Sequence, residues 1–411
     1  MNQSIKVFTV GLALAFASCN DAKLPPLVGE NADPDSNAVY FSEAVLGAGT
    51  TISFSSQAVS TSLTVRLAQP ATRDITITVD IDADVVEEYN AAYEKNLQAL
   101  TSEHVQYDQK VVIPKGSASQ SVKFVIEPFE TNGESFALGV KLKNVIGTEI
   151  LASASSYVWE LKEPLTQLVP VFEEHSHRSN PNDPNSAGFF DAMQPAQSWE
   201  MKVFNFTLEW WSRVSRYSIN NQCIFENMSK ADDVKGSTEL YVRFGDVIHP
   251  SEYGYKYLQV KSFGAQFDTE PSVSLLVPQQ WYHFAITYDA STGQMLLYKN
   301  GEVCNQLDLA KGIPLDLKGF NCFGIDDSFS IAQIRFWMTT RTAQQIKDNM
   351  RFAVSPQNPD LLFYLPMTKP DNLDGGATTY FTDVTGNGHD LPSGGRISDW
   401  ETVDFSAIDL Q

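Results

Sequence analysis

Residues 281–301 read WYHFAITYDASTGQMLLYKNG, and this stretch decides the fold. YHFAITY is aromatic and β-branched, DASTG is rich in turn formers, and QMLLY returns as a second short apolar run. Such a composition reads as strand, turn, strand. Lys299-Asn300-Gly301-Glu302 then carries Asn-Gly, the strongest short hairpin signal, because a type I′ turn needs positive φ at both central residues. Trp281 and His283 share strand parity and are expected on one face.

The pattern extends in both directions. ELYVRF, YLQVKSF, SVSLLV and QIRFW are further short β-rich segments separated by turn residues. A region this long with this pattern predicts a two-sheet jelly roll. Upstream, residues 38–162 alternate with period two: Val39, Phe41; Leu63, Val65, Leu67; Ile75, Ile77, Val79, Ile81; Val111, Ile113; Val122, Phe124, Ile126; Leu138, Val140, Leu142; Tyr157, Trp159, Leu161. Each set reads as a half-buried strand, and together they predict a small β-sandwich. One helix is expected over 85–100, where Tyr89, Tyr93, Leu97 and Leu100 recur at helical spacing behind an Asp84/Glu87 capping pattern. Asp82, Asp84 and Glu87 mimic an acidic ExDxxE catalytic run. That run needs alternate residues of one strand facing a cleft, whereas a strand ends and a helix starts inside this one. The two prolines of KEPLTQLVP place a linker at 163–170 and a second domain at 171–411.

The chain has 411 residues with 29 Lys plus Arg and 50 Asp plus Glu, a formal charge of −21. A strongly acidic balance argues against nucleic acid and against anionic membrane surfaces, but leaves neutral partners such as sugars open. Lys6 precedes an apolar run over 7–17, too short for a stable membrane span, and then Phe16-Ala17-Ser18-Cys19. Residues 1–18 read as a signal peptide and the polar 19–37 as a flexible tether. Of the four cysteines, Cys19 stands at the signal-peptide end; among Cys223, Cys304 and Cys322 a Cys304–Cys322 disulfide and unpaired buried thiols are both open. No GxSxG, P-loop, HExxH or dinucleotide fingerprint occurs.

Three ordered blocks carry a family resemblance. The 281–301 block resembles the signature of laminin G-like, concanavalin A-like sandwiches. IAQIRFWMTTRTAQQIKDNM (331–350) is similar to that family's next block, a strand, an Arg-Thr turn and a short helix. There Thr342 and Gln345 form a capping box, with Ile346 and Met350 as the apolar face. LLFYLPM and TDVTGNGHDL, within 361–391, resemble the closing strand and its Asp-x-x-Gly-Asn-Gly turn. More loosely, 38–162 resembles an Ig-like domain of unknown function found in lipoproteins of glycan-foraging Gram-negative bacteria, and Ala17-Ser18-Cys19 resembles a lipobox. The resemblance implies an all-β protein, an Ig-like β-sandwich followed by a jelly roll. It also implies lipidation at Cys19, an outer-membrane location at the cell surface, and non-catalytic binding of extracellular polysaccharide or glycoprotein glycan. The membrane is then met through the lipid anchor only. A structural or adhesion protein and a glycoside hydrolase are the alternatives.

Candidate binding residues follow from side-chain chemistry. If Tyr253-Gly254-Tyr255-Lys256-Tyr257 is extended, three phenols share one face at the spacing of successive sugar rings; an edge strand with ordinary packing is the alternative. Trp210 and Trp211 are adjacent, so they face opposite sides of their strand, and Trp211 is the one taken as a possible sugar contact. Trp281, His283 and Trp337 read as core. Glu173-Glu174-His175-Ser176-His177 could hold a metal but has the composition of a solvated loop. The resemblance makes calcium the better motivated cofactor, with Asp326 and Asp327 as weak candidates and no full set of six to eight oxygens in view.

Overall fold

A computed structural model describes residues 37–54, 57–93, 95–131, 134–174, 191–192, 201–227, 239–317, 319–369, 380–392 and 397–410. The alternation upstream does what its period requires. Val39–Phe41, Val59–Leu67, Ser119–Ile126 and Val105–Tyr107 pair in that order as one sheet. Gly49–Ser53, Ser156–Lys162, Phe136–Ile146, Ile75–Ile81 and Lys110–Ile113 form the other, with Gln98–Ala99 attached to Phe136–Ile146. Leu63, Val65, Ile77, Val79, Phe124, Val140 and Trp159 are buried between the sheets.

The helix of this unit, α1, spans Ala83–Tyr93 and stops well short of Leu100. The Asn90 amide ends it by folding back on Leu97, donating to its carbonyl at 2.8 Å and accepting from its N–H at 3.0 Å. Leu97 and Leu100 are buried, but from beyond the helix. The start is also displaced. Asp82 caps it, its Oδ1 accepting from Asp84 N at 3.1 Å, while Asp84 itself lies in the first turn. Asp82 further pairs with Lys143 at 3.0 Å, so this carboxylate serves the fold.

In the C-terminal unit one sheet runs Glu302–Asp308, Gln294–Lys299, Tyr282–Asp289, Asn205–Val214, Phe329–Trp337, Thr166–Phe172, Ile397–Asp404, with Leu361–Leu365 also on Phe329–Trp337. The facing sheet runs Asp191–Ala192, Phe320–Gly324, Gln222–Asn227, Leu240–Phe244, Leu258–Ser262, Ala265–Asp268. Phe206, Leu208, Trp210, Phe225, Phe244, Phe284 and Phe336 fill the space between them. Asn300 and Gly301 take φ of 56° and 81°, as the Asn-Gly hairpin requires. Helix α2, Ala343–Asn349, begins with the expected Thr342/Gln345 capping box. Together with Met350 and Phe405 it covers the outer face of the larger sheet.

Two expectations change, and the question of the cysteines is resolved. Thr166–Phe172 is a strand of the larger sheet, so most of the segment read as linker is structural, and only residues 163–165 join the units. SVSLLV is a loop, anchored by buried Leu276, whose N–H donates to Lys256 O at 2.8 Å. No disulfide joins Cys304 and Cys322. They belong to strands of opposite sheets, which pack about 10 Å apart, beyond the ~7 Å Cα separation a disulfide spans. Burial pushes the Cys304 thiol up to about 12.

A candidate ligand-binding rim

Thr166–Phe172 leaves the N-terminal unit and ends beside Phe329, which also pairs with Val214. At ~3.3 Å per residue the strand carries the chain about 20 Å away. The loops at this far end, 215–221, 245–257, 269–281 and 325–328, are stitched together. Ser215 N donates to Ser328 O, Asn221 N to Gly245 O and Gln279 N to Val214 O, at 2.8, 3.0 and 2.9 Å. The tyrosine cluster and the Asp326–Asp327 pair therefore share one rim.

The tyrosines do not form a row. Ser251–Tyr253 is a 3-10 turn and Gly254 has φ 59°, ψ −136°, so the chain bends where an extended stripe was expected. Tyr257 is fully buried, its hydroxyl donating to Asp246 O and accepting from Asp246 N, both at 2.7 Å. Burial pushes that phenol up to about 12. Tyr255 lies over Gly245, where φ is +69° and an added Cβ would come within 2.3 Å of Tyr255 Cβ; only glycine fits. Tyr253 and Tyr255 remain half-exposed. Exposed Val247 and Ile248 follow from the same loop, and Val273 and Val277 from the next.

Beside them is a polar group that sequence reasoning passed over. Leu240, Val242 and Phe244 face the core, which turns Tyr241 and Arg243 outward. Arg243 reaches Gln259 Oε1 at 2.8 and 2.6 Å, Asn221 Oδ1 at 2.5 Å, and the Asp246 carboxylate. Tyr241 donates to the same Asn221 oxygen at 3.1 Å. Gln259 Nε2 is buried without a partner among the described residues. The apolar–polar–apolar alternation of ELYVRF was the signal that could have found Arg243.

Trp211 is placed differently from the expectation. Trp210 points into the inter-sheet core. Trp211 points outward but is covered, with 0% exposure, and its indole N–H donates to Met350 O at 2.6 Å. It packs with Trp281, Ala332 and Phe405, so it cannot meet a sugar at the surface. Asp327 accepts from Ser218 N and Oγ at 2.7 and 2.6 Å and from Gln222 Nε2 at 2.9 Å, a carboxylate committed to holding its loop. Among the described residues no three His, Cys, Asp or Glu groups converge on a metal position. Glu174 pairs with Arg216 at 2.5 Å, while His175, His177 and Cys19 lie outside the described residues.

His283 and Trp337 are buried on the outer face of the larger sheet, around Glu209. Glu209 accepts from Trp337 Nε1 at 2.7 Å and lies 3.6 Å from Arg335 Nη1 and from His283 Nε2. Burial pushes the Glu209 carboxyl up, but Arg341, Arg335 and His283 outweigh it and hold the group below its ordinary value. Burial drives His283 down to about 4 despite that carboxylate.

Comparison with known proteins agrees with this architecture. Residues 192–347 match the family model of the concanavalin A-like lectin/glucanases superfamily, and 34–148 match a model described as an N-terminal domain. The C-terminal unit is thus a concanavalin A-like, laminin G-like domain, preceded by an Ig-like sandwich. A candidate carbohydrate binding protein from Bacteroides ovatus superposes with TM-score 0.56 at 20% identity, over 91% of this chain and 100% of its own. A SAP-like pentraxin from Limulus polyphemus covers 44% of this chain and 80% of its own, with TM-score 0.32 and 14% identity. EndoBT-3987 from Bacteroides thetaiotaomicron, solved with a Man5GlcNAc product, covers 30% of each chain, with TM-score 0.27 and 14% identity. No curated protein sequence matches the chain.

Proposed function

We propose that the protein binds extracellular glycan without cleaving it, through the rim of its concanavalin A-like domain. The observation that carries this reading is the half-exposed Tyr253 and Tyr255 beside the Arg243–Asn221–Asp246 network, on the end that points away from the N-terminal unit. Aromatic faces pack against the C–H faces of sugar rings, while a preset fan of amide, carboxylate and guanidinium groups meets hydroxyls. The carbohydrate-binding description of the Bacteroides ovatus protein supports the same class of ligand.

The test is a titration of glycans into the full chain and into Tyr253→Ala/Tyr255→Ala. At about 1 kcal/mol per aromatic contact the double variant should bind roughly tenfold to thirtyfold more weakly. Both rings are partly covered and Tyr255 lies over Gly245, so affinity is compared below the melting temperature of the double variant. A folded double variant with unaltered affinity sinks the assignment. A repeat with EDTA tests calcium, and lost affinity would add a cation to the site. Reducing-sugar release abolished by one Asp or Glu substitution would replace binding with hydrolysis. Exposed Val247, Ile248, Val273 and Val277 favour a second reading, adhesion to another protein. Sugar-independent capture of a protein ligand through this rim would select it.

The same proposal includes a lipid anchor on Cys19 that presents the rim outward from the outer membrane. Cys19→Ala should move the protein from the membrane fraction to the soluble periplasm. A variant still lipid-labelled would overturn the anchor, and full protection of the parent from protease on intact cells would overturn surface exposure.

A further inference from the structure

The seam between the two units holds a feature that the rim does not use. Asp348 near the end of α2 receives Lys95 Nζ at 2.5 Å, and Lys95 also lies 3.2 Å from Glu160. Lys162 Nζ donates to Asp348 O at 2.8 Å, and Ser355 Oγ donates to Glu134 Oε1 at 2.7 Å. These contacts clamp the units together, yet the surfaces between them do not close. They leave a cleft of about 190 Å³, with Trp337 and Arg341 from one unit and Asn96 and Ser135 from the other in its lining.

The lining is chemically specific. Arg341 is 8% exposed and stacks 3.9 Å from the Trp337 ring centroid. Its Nη2 donates to Gln345 O at 3.0 Å, while its Nε has no partner among the described residues. Around it the cations Lys95, Lys162 and Arg341 match the anions Glu134, Glu160 and Asp348, so the cleft has no formal charge with which to select an ion. Uncharged Asn96, Gln345 and Asn358 add donors and acceptors. The volume lies below the ~300–1,000 Å³ of pockets for drug-sized ligands.

We infer that this cleft is a second binding site, which takes one small neutral polyol such as a single sugar ring and needs both units to form. The inference is independent of the rim. It is tested by calorimetric titration of glucose, galactose, mannose, N-acetylglucosamine and myo-inositol, each into the full chain. At least one is expected to bind saturably. Ser135→Trp, which places an indole in the lining of the cleft, should weaken that binding at least tenfold in a chain that still unfolds cooperatively. Asn358→Trp blocks from the opposite unit and carries the test should the first variant fail to fold. Tyr253→Ala/Tyr255→Ala should leave the binding intact. Failure of all five polyols to bind, or binding that survives both tryptophan variants, overturns the inference. Loss in the tyrosine variant alone would assign the polyol to the rim.

Discussion

Glu209→Gln is expected to lower the stability of the C-terminal unit by about 3–5 kcal/mol, the range for removing one partner from a buried ion pair. Glu209 is fully buried, and its carboxylate is the anion that draws on Arg341 and Arg335 together. Arg335 is 1% exposed and its remaining contacts are neutral: Asn349 O, Gln333 Oε1 and Phe352 O, at 3.1, 2.6 and 2.8 Å. Arg341 packs on Trp337 beside it. With Gln in place of Glu the shape is kept, the indole N–H still has an oxygen to meet, and two guanidinium charges lose their buried counter-charge. Urea unfolding followed by tryptophan fluorescence measures the effect as a lower midpoint. A midpoint matching the parent would show that the two arginines are neutralised by other means.

Acidification should destabilise the protein before its surface carboxylates titrate. The unfolded chain takes up a proton on His283 near pH 6.5, whereas in the folded state burial holds the imidazole neutral down to about 4. Between those values the unfolded state binds more protons, so stability falls as pH falls. The contribution is whole above pH 6.5 and amounts to about 3 kcal/mol lost by pH 4, at ~1.36 kcal/mol per unit. Glu209 and Asp348, both held below their ordinary values of 4.5 and 3.8, add their losses only further down, as pH drops through their folded values. Unfolding midpoints measured from pH 8 to pH 4 should be level at the top and then decline from about 6.5. His283→Gln should flatten the decline. A parent profile level down to pH 4.5 would contradict a buried neutral imidazole.

Much of this was legible in the chain because it is local. Period-two alternation at Leu63, Val65 and Leu67 or at Val122, Phe124 and Ile126 can satisfy only one geometry, a strand with one face buried. Asn300-Gly301 sets a hairpin because few other residues tolerate positive φ at both positions. Thr342 and Gln345 bond each other across one helical turn, so their box needs nothing from elsewhere. The opposed faces of Trp210 and Trp211 follow from parity alone.

Tertiary structure decided what covers each face and where each loop goes. Trp211 points outward as parity demands, but Met350 and Phe405, far along the chain, bury it. The stripe 253–257 has strand parity on paper, yet the chain bends at Gly254 so that Tyr255 can lie over Gly245 and Tyr257 can reach Asp246. The helix ends at Tyr93 because Asn90 finds the backbone of Leu97. The joining of Arg243 to Asn221 and Asp246, and of Asp348 to Lys95 and Lys162, depends on pairings between distant segments. Local propensity and period carry no information about such pairings, because side chains 22 or 253 residues apart meet only once the sheets have closed and the two units have docked.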